Sequence, residues 1–352
     1  MRISASNFSA GSGVDVAKKR IYFFTVCLRN LFLIPLLCLV LGMQTVYGAE
    51  QLVPVGRTVG VTLDMQGLLV LGTGNVDGIN TPSKGILQAG DRLLEANGQI
   101  LENKEVLIEV VEESAGEPVA LLLKRKGREY NVLVEPVFSN VDDAYKMGVW
   151  IRDSIQGIGT VTCYDPATEE FCALGHGVYD VDTDTLMEIR EGSLVHAELT
   201  EIIKGQTGKA GELTGTIHLE EKFAKIEKNT EKGIFGRGQG ACFAGKSVPA
   251  AMSSEVKKGK AVILSDLGGG KVREYEIKIE DIRKNGGREC KDMVIRITDE
   301  RLLQLTGGII QGMSGSPILQ NGKLVGAVTH VLVNDPTRGY GIFIENMLVA
   351  AR

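Results

Sequence analysis

The stretch GMSGSPIL, from Gly312 to Leu319, brings two glycines and two serines together ahead of a proline and a return to apolar residues. The pattern G-x-S-G-x-P predicts a tight turn that leaves the hydroxyl of Ser314 approachable. The same turn can aim the backbone N–H groups of Gly312 and Ser314 at one point, which is the geometry of an oxyanion hole. A plain turn between two strands would use the same residues, so the meaning of the stretch depends on the rest of the chain.

A serine nucleophile needs a base, and His176 is the best candidate in this sequence. Serine alone is a weak nucleophile, and it is usually activated by a histidine that a carboxylate holds in place. His176 lies between Gly175 and Gly177 at the end of a predicted strand, where another segment can approach closely. We therefore predict that Ser314 and His176 form a catalytic pair.

The remaining histidines and the nearby carboxylates leave alternatives open. His196 and His218 lie inside alternating strands, which favours surface or core roles, whereas His330 follows the serine strand and could lie near the site. Asp180 and Asp182 come just after His176 and are candidates for the orienting carboxylate.

Other chemistries are disfavoured by the context of their motifs. GACFAGKS, residues 240–247, matches the phosphate-loop pattern, but Pro249 and the serines after it make the required helix poor. The chain has no H-E-x-x-H pair and no C-x-x-C pair, so we expect no metal centre. No organic cofactor is expected either.

The composition predicts a mainly β protein. The chain has 352 residues with 44 glycines, and successive short apolar strands separated by glycine-containing turns follow residue 140. No long helix interrupts them, a pattern typical of a barrel or a sandwich. We assign residues 138–352 to this domain.

Residues 51–137 resemble a PDZ domain of the kind found in bacterial extracytoplasmic proteases. The resemblance rests on GILQAGDRLLEANGQILEN at 85–103, on the amphipathic helix candidate ENKEVLIEVVEES at 102–114 and on a hairpin at 118–136. PDZ domains bind peptides by strand addition beside a helix, with a glycine-containing loop for the terminal carboxylate. The candidate loop consists of Gly60, Val61, Thr62 and Leu63.

The sequence of residues 1–50 predicts that the protein is exported. A basic flank precedes the apolar run LFLIPLLCLVLGMQTVYG at 31–48, which is either a signal peptide or an uncleaved anchor. The first 48 residues carry a charge of +4, from five basic residues and one acidic residue, so the net charge of −5 leaves −9 for the remainder. This bias places the body outside the cytoplasm, and an acidic body argues against a nucleic-acid partner.

Four cysteines remain beyond the leader. Cys163 and Cys172 bracket the turn YDPATEEF and could form a disulfide across a hairpin, or stay as two buried thiols. The sequence does not show whether Cys242 and Cys290 form a disulfide or stay reduced.

The C-terminal stretch QGMSGSPILQNGKLVGAVTHVLVNDPTRGYGIFIENML, at 311–348, resembles the stage IV sporulation protein B peptidase family. The resemblance extends over the leader, the PDZ-like block and ALGHG at 173–177. It implies a chymotrypsin-like β-barrel with Ser314 as nucleophile, His176 as base and Asp299 as the acidic residue. Asp299 lies only 15 residues before Ser314, much closer than in chymotrypsin-like enzymes, and TDERLLQLTGG could instead place Asp299 as a helix cap.

The resemblance also implies a function. Such an enzyme cleaves itself and a membrane-linked regulator of sigma-factor processing, in the space between mother cell and forespore. The partners implied are peptide substrates, a PDZ ligand that could belong to its own chain, and a membrane-embedded signalling complex. The alternative is a catalytically inactive PDZ scaffold that only binds peptides.

Overall fold

Extended strands dominate the computed structural model, which describes residues 50–283 and 290–352. In chain order the strands are β1 Gln51–Pro54, β2 Thr58–Thr73, β3 Arg92–Ala96, β4 Gln99–Ile100, β5 Val119–Arg125, β6 Arg128–Val134, β7 Val137–Ser139, β8 Ala144–Lys146, β9 Val149–Asp165, β10 Glu170–Ala173, β11 Tyr179–Asp180, β12 Thr185–Leu186, β13 Ile189–Ile203, β14 Glu212–Thr230, β15 Gly233–Gly238, β16 Val248–Pro249, β17 Gly259–Ser265, β18 Arg273–Ile282, β19 Met293–Ile297, β20 Pro317–Gln320, β21 Lys323–Val331 and β22 Arg338–Phe343. The α-helices are α1 Lys104–Glu113, α2 Glu300–Thr306 and α3 Ile344–Ala351. The mainly β prediction is confirmed.

Six strands between residues 58 and 238 close into a ring. β2 pairs with β9, β9 with β10, β10 with β15, β15 with β14, β14 with β13, and β13 returns to β2. Alternate side chains point inward along each strand, so Val59, Leu63, Val161, Leu194 and Ile234 form a buried core.

A second barrel follows in the chain. It has the strand order β17-β18-β19-β22-β21-β20 and closes through the pairing of β17 with β20. Its core consists mainly of β-branched and other aliphatic residues, among them Ile263, Ile277, Ile295 and Val328. Such residues suit the pleated surface of a strand, which explains why the alternating runs of the sequence fold in this way.

A smaller module that contains α1 continues the sheet of the first barrel. The strands β2 and β9 continue past the ring, where residues 69–73 pair with residues 149–152. β3, β5 and β6 extend this sheet, and α1 buries Leu107, Val110 and Val111 against it. The Asn103 side chain accepts a hydrogen bond from the Val106 N–H and caps the helix, which lies within the amphipathic stretch predicted at 102–114.

The pairing of β1 and β2 differs from the predicted division at residue 137. Residues 53–54 pair with β9, and residues 58–64 pair with β9 and β13 of the first barrel, so the module is an excursion between two barrel strands rather than a preceding segment. Periodicity alone could not distinguish these cases, because a strand shared by two cores has the same alternation as a strand in one.

The proposed peptide-binding loop at Gly60, Val61, Thr62 and Leu63 is wrong. These residues lie inside β2, where they pair with β13 along one edge and with β9 along the other. Leu63 is fully buried, and a Cβ at Gly60 would lie 2.7 Å from side-chain atoms of Val195 and Ile217. Since both edges are occupied, this segment cannot receive a peptide by strand addition.

The predicted leader at 31–48 lies outside the described residues. Within residues 50–283 and 290–352, no helix is long and apolar enough to cross a membrane.

Candidate active site

The histidine segment of the first barrel reaches the second barrel through a sharp turn. After β10, Leu174 and Gly175 both adopt left-handed backbone conformations, with φ of 68° and 70°. A Cβ at Gly175 would lie 3.0 Å from Thr329 Cγ2. A non-glycine residue such as Leu174 rarely adopts this conformation, and such strain is typical of functional segments. The turn brings His176 against β21.

The serine segment forms the tight turn that its glycines predict. Gly312 and Gly315 both have a φ of 95°. A Cβ at Gly315 would lie 2.0 Å from the carbonyl oxygen of Thr160, so no side chain fits there. The Gly315 N–H donates to the carbonyl of Val328 at 2.8 Å, which fixes the turn to β21.

The structure brings Ser314 and His176 together in one cleft. The cleft has a volume of ≈ 570 Å³, and Thr329 and His330 also line it. The rings of His176 and His330 lie with their centroids 5.0 Å apart. One catalytic candidate comes from each barrel, and the placement of His330 beside them also agrees with the sequence.

The Ser314 hydroxyl has a backbone partner in this structure. Its Oγ donates to the carbonyl oxygen of Thr329 at 2.8 Å. The described hydrogen bonds include none between Ser314 and His176. The hydroxyl must therefore give up its hydrogen bond to Thr329 before its proton can pass to the imidazole.

The orientation of His176 is set by a backbone carbonyl. Its Nδ1 lies 2.8 Å from the carbonyl oxygen of Gly177, and because a carbonyl only accepts, Nδ1 carries the hydrogen. The neutral ring therefore has its lone pair on Nε2, as a general base requires. Burial lowers the pKa of His176, and the bond to Gly177 opposes this only in part.

Two backbone N–H groups remain available as oxyanion donors. The N–H groups of Met313, Gly315 and Ser316 each donate to a backbone carbonyl. Within the described residues, the N–H groups of Gly312 and Ser314 have no such acceptor. Both residues are partly exposed and line the cleft, so their N–H groups are candidates for the oxyanion donors that the sequence predicted.

Asp299 does not contact His176, and its predicted orienting role is not met in this structure. It is the N-cap of α2, where Oδ1 accepts from the N–H groups of Arg301 and Leu302 and Oδ2 from that of Glu276. The Arg301 guanidinium adds an ion pair at 2.6 Å. Hydrogen bonds from Arg301, assisted by these N–H groups, lower the pKa of Asp299 to about 2. Its oxygens are therefore fully engaged at the helix terminus.

The alternatives Asp180 and Asp182 do not orient His176 either. Both pair with the Arg152 guanidinium, and Asp180 also accepts from the N–H groups of Asp182 and Thr183. Among the described residues, the only hydrogen-bond partner of His176 is the carbonyl of Gly177.

Thr160, which the sequence did not single out, connects the two catalytic segments. Its Oγ1 donates to the carbonyl of Gly312 at 2.8 Å and its N–H to the carbonyl of Ser314 at 3.0 Å. Its own carbonyl accepts from the Leu174 N–H at 3.2 Å, two residues before His176. No sequence motif marks this threonine, because its role depends on a contact between the two barrels.

Cys163 and Cys172 form the disulfide that the hairpin suggested. They lie opposite each other on β9 and β10 with their Cα atoms 5.3 Å apart. Cys242 and Cys290 carry thiols, and burial raises the pKa of Cys290 to about 11.

The phosphate-loop match does not have the geometry that phosphate binding requires. Residues 240–243 form a single 3₁₀ turn, and the two-residue strand β16 follows the match where an α-helix would be needed. Nor do the described residues contain a group of three or more His, Cys, Asp or Glu placed to hold a metal ion.

A comparison with protein families gives the family of this chain. The family described as SpoIVB peptidase S55 matches residues 143–348, more than half of the chain, and includes His176 and Ser314. The chain belongs to the SpoIVB peptidase S55 family. It is accordingly a serine peptidase, as the sequence predicted.

Parts of this S55 peptidase are similar to known structures and to one curated protein. The Rv3671c protease of M. tuberculosis in its active form is 14% identical, with 56% of this chain and 73% of that chain covered and a TM-score of 0.34. The PDZ domain of the SdrC-like protein Lmo2051 from Listeria monocytogenes is 17% identical over 24% of this chain and 87% of that one, with a TM-score of 0.21. The Bartonella henselae protein BH06270, whose name describes a zinc metalloprotease, is 32% identical over 73 residues, 21% of this chain. The S55 peptidase spans only about a fifth of the length of that relative.

Proposed function

We propose that this S55 peptidase is an exported endopeptidase that cleaves itself and a membrane-linked regulatory protein in sporulation signalling. The family resemblance supports the signalling role, and the basic flank with the apolar run at 31–48 supports export, either secreted or membrane-anchored, into the space between mother cell and forespore. The substrates are peptide segments of proteins, and a membrane-embedded signalling complex is the proposed partner.

One observation carries the catalytic part of the proposal. Ser314 from the second barrel and His176 from the first line the same cleft, beside two N–H groups that are open to an oxyanion. This set supplies a nucleophile, a base and charge stabilisation, which together are what acyl transfer requires.

The residues of the cleft perform the reaction in two proton transfers. Ser314 Oγ attacks the peptide carbonyl carbon while its proton passes to His176 Nε2, and the Gly312 and Ser314 N–H groups hold the resulting oxyanion. The imidazolium returns the proton to the leaving amine as the C–N bond breaks, which leaves an acyl-serine. Water then attacks the acyl-serine with His176 again as base, and this releases the acid and restores the serine.

The carbonyl of Gly177 takes the orienting role that a carboxylate has in many serine peptidases. It fixes the Nδ1–H tautomer and stabilises the imidazolium through its dipole rather than through a full charge. A peptidase that works on a few signalling substrates can operate with this weaker stabilisation of the transition state.

The PDZ-like module supplies a second peptide site in a different place from the predicted loop. A groove lies between α1 and the first residues of β9, lined by Leu107, Ile108 and Val149. Between residues 149 and 152, β9 pairs with β2 along one edge and has no strand on the other within the described residues. An extended peptide, including one from this chain, would add there as a strand.

Cleavage assays test the endopeptidase against the alternative of an inactive scaffold. The full-length protein is incubated with an unfolded protein substrate, and its own fragments are followed by mass spectrometry. We expect cleavage by the wild type and none by Ser314→Ala, because the reacting atom is lost. Equal cleavage by both proteins would contradict the proposal, and no cleavage by either would favour the scaffold.

The groove can be tested through Trp150, the only tryptophan of the chain, which lines it with 68% of its surface exposed. A peptide that adds along β9 should shift the emission of Trp150 to shorter wavelength, because it removes the ring from water. Ile108→Glu should weaken the shift, whereas Ile100→Glu, at an exposed position that is not among the groove residues, should leave it intact. A peptide that binds with no change at Trp150 would place the site elsewhere.

A further inference from the structure

We infer that the catalytic cleft selects substrates with an apolar residue on the N-terminal side of the cleaved bond. This inference rests on the proposed function, because it concerns the same serine and the same cleft. It is carried by the chemistry of the residues that surround Ser314.

The walls of the cleft are aliphatic. They include Ile155, Ile158, Ile309, Ile310, Val331 and Val333. Among the described residues that line the cleft there is no Asp, Glu, Lys or Arg. Ile309 and Ile310 are each only 2% exposed and belong to the core of the second barrel, so this part of the wall is rigid.

The position of these walls relative to Ser314 indicates which substrate residue they contact. Ile309 and Ile310 come just before Gly312, and Val331 comes two residues after Thr329, whose carbonyl lies 2.8 Å from Ser314 Oγ. The residue that provides the attacked carbonyl has its Cα one bond from the reacting carbon. We place its side chain between these two segments, because both line the cleft next to Ser314.

The energetics favour an apolar side chain strongly. Burial of an aliphatic side chain gains roughly 25 cal/mol per Å² of surface removed from water. A Lys or Glu side chain in the same place would lose its hydration without gaining an ion-pair partner from the described lining, which is costly. The kcat/KM for a substrate with an aliphatic side chain at this position should therefore exceed that for a substrate with Lys or Glu by more than about 10-fold.

The test uses peptide phosphonates that react with an active serine and differ only in the residue beside the phosphorus, which is Leu, Lys or Glu. The second-order rate of inactivation of the full-length protein is measured for each. We expect the Leu probe to react faster than the other two by about 10-fold or more. A smaller difference, a faster Lys or Glu probe, or no reaction with any of the three overturns the inference.

A generic fluorophosphonate separates this failure from that of the proposed function. If it labels Ser314 while the Leu probe shows no advantage, only the selectivity is wrong. If it also fails to label Ser314, the proposed peptidase chemistry itself fails.

A substitution in the wall of the cleft tests whether this wall contacts the substrate residue on the N-terminal side of the cleaved bond. Val333 is 45% exposed at the rim of the cleft, so Val333→Asp can keep its carboxylate hydrated and fold normally. We expect it to raise the rate of the Lys probe relative to the Leu probe by about 10-fold, through charge attraction in a partly desolvated site. The matched control is Val349→Asp on α3, where the side chain is 68% exposed and outside the cleft, and which should leave the ratio unchanged. An unchanged ratio in Val333→Asp overturns the assignment of this wall.

Discussion

Thr160 Oγ1 donates a hydrogen bond of 2.8 Å to the carbonyl oxygen of Gly312, across 152 positions of sequence. This bond fixes the peptide that lies between the two oxyanion donors. Because the same threonine also accepts from Leu174, it holds the serine turn and the histidine segment in one arrangement. Thr160 is thus a positioning residue, which acts through Gly312 and Ser314 and does not itself touch the substrate.

Thr160→Val should lower kcat more than it changes KM. Valine keeps the shape of threonine but leaves the Gly312 carbonyl without its side-chain donor, at a cost of about 1–3 kcal/mol. A loss of about 1.4 kcal/mol in the transition state alone gives a 10-fold lower kcat. Steady-state kinetics with a peptide substrate, together with the affinity for a peptide boronic acid, measure the effect.

Thr160→Ser is the control, since it keeps the hydroxyl and should restore most of the activity. If valine and serine variants lose the same activity, or if only KM changes, the hydrogen bond to Gly312 does not position the oxyanion hole.

Asp299→Asn should retain most of the reactivity of Ser314. An orienting carboxylate in a serine peptidase contributes about 10⁴ in turnover, whereas a helix cap contributes only stability. Asparagine caps helices nearly as well as aspartate, so the rate of labelling should stay within about 10-fold of the wild type. A fall of several thousandfold with the fold intact would show that Asp299 reaches His176 during the reaction.

Asp299→Ala tests the role of Asp299 as a helix cap separately from any role in orienting His176. Loss of the cap at α2 should lower the free energy of unfolding by about 1–2 kcal/mol, as urea denaturation would measure. The pKa of Asp299, about 2 in the folded protein, lies below its ordinary value of 3.8. The stability that it contributes is therefore present above about pH 4 and is lost as the pH falls towards 2.

The pH dependence of Ser314 reactivity should reflect a histidine with a lowered pKa. Burial disfavours the charged form of His176, so the ring stays neutral, and able to act as base, to a lower pH than an ordinary histidine with a pKa of 6.5. The acid limb of the kcat/KM profile should thus have its midpoint below 6.5. A midpoint at or above 6.5 would require a negative charge near the ring that offsets its burial.

Removal of the disulfide should destabilise the first barrel without changing the site. Cys163 and Cys172 are nine positions apart, and closure of a loop of that length stabilises by roughly 2–3 kcal/mol through the unfolded state. The double variant Cys163→Ala/Cys172→Ala should lose this amount in urea denaturation. Cys242→Ala, at a partly exposed thiol, is the control and should lose little. Equal stability of the double variant and the wild type would contradict the prediction.

The local features of the fold could be predicted from the sequence. The hairpin predicted at 118–136 is the pair β5 and β6, which turns at Lys126 and Gly127, both with positive φ. The glycines around His176 and Ser314 likewise predicted close approach of another segment, which the structure shows at Gly175 and Gly315.

The long-range features could not be predicted. The sharing of β2 between a barrel and the PDZ-like module depends on how distant strands pair, and strand alternation is the same in either case. The catalytic role of Asp299 was implied by resemblance to the family, whereas the sequence also offered the helix cap that the structure shows; its contact with the Glu276 N–H of β18 depends on how that strand packs against the start of α2. The role of the Gly177 carbonyl had no sequence signal at all, since every residue carries one.

The most direct test of the account is the site of covalent modification by a fluorophosphonate. The full-length protein is labelled at neutral pH, digested and analysed by mass spectrometry, with Ser314→Ala, His176→Ala and Ser316→Ala alongside. Ser316 is fully buried, and its hydroxyl has no partner within the described residues, so its loss should not affect labelling. We predict a single adduct on Ser314 in the wild type and in Ser316→Ala, and none in the other two variants. An adduct on another residue, or equal labelling of Ser314→Ala and the wild type, would contradict the account.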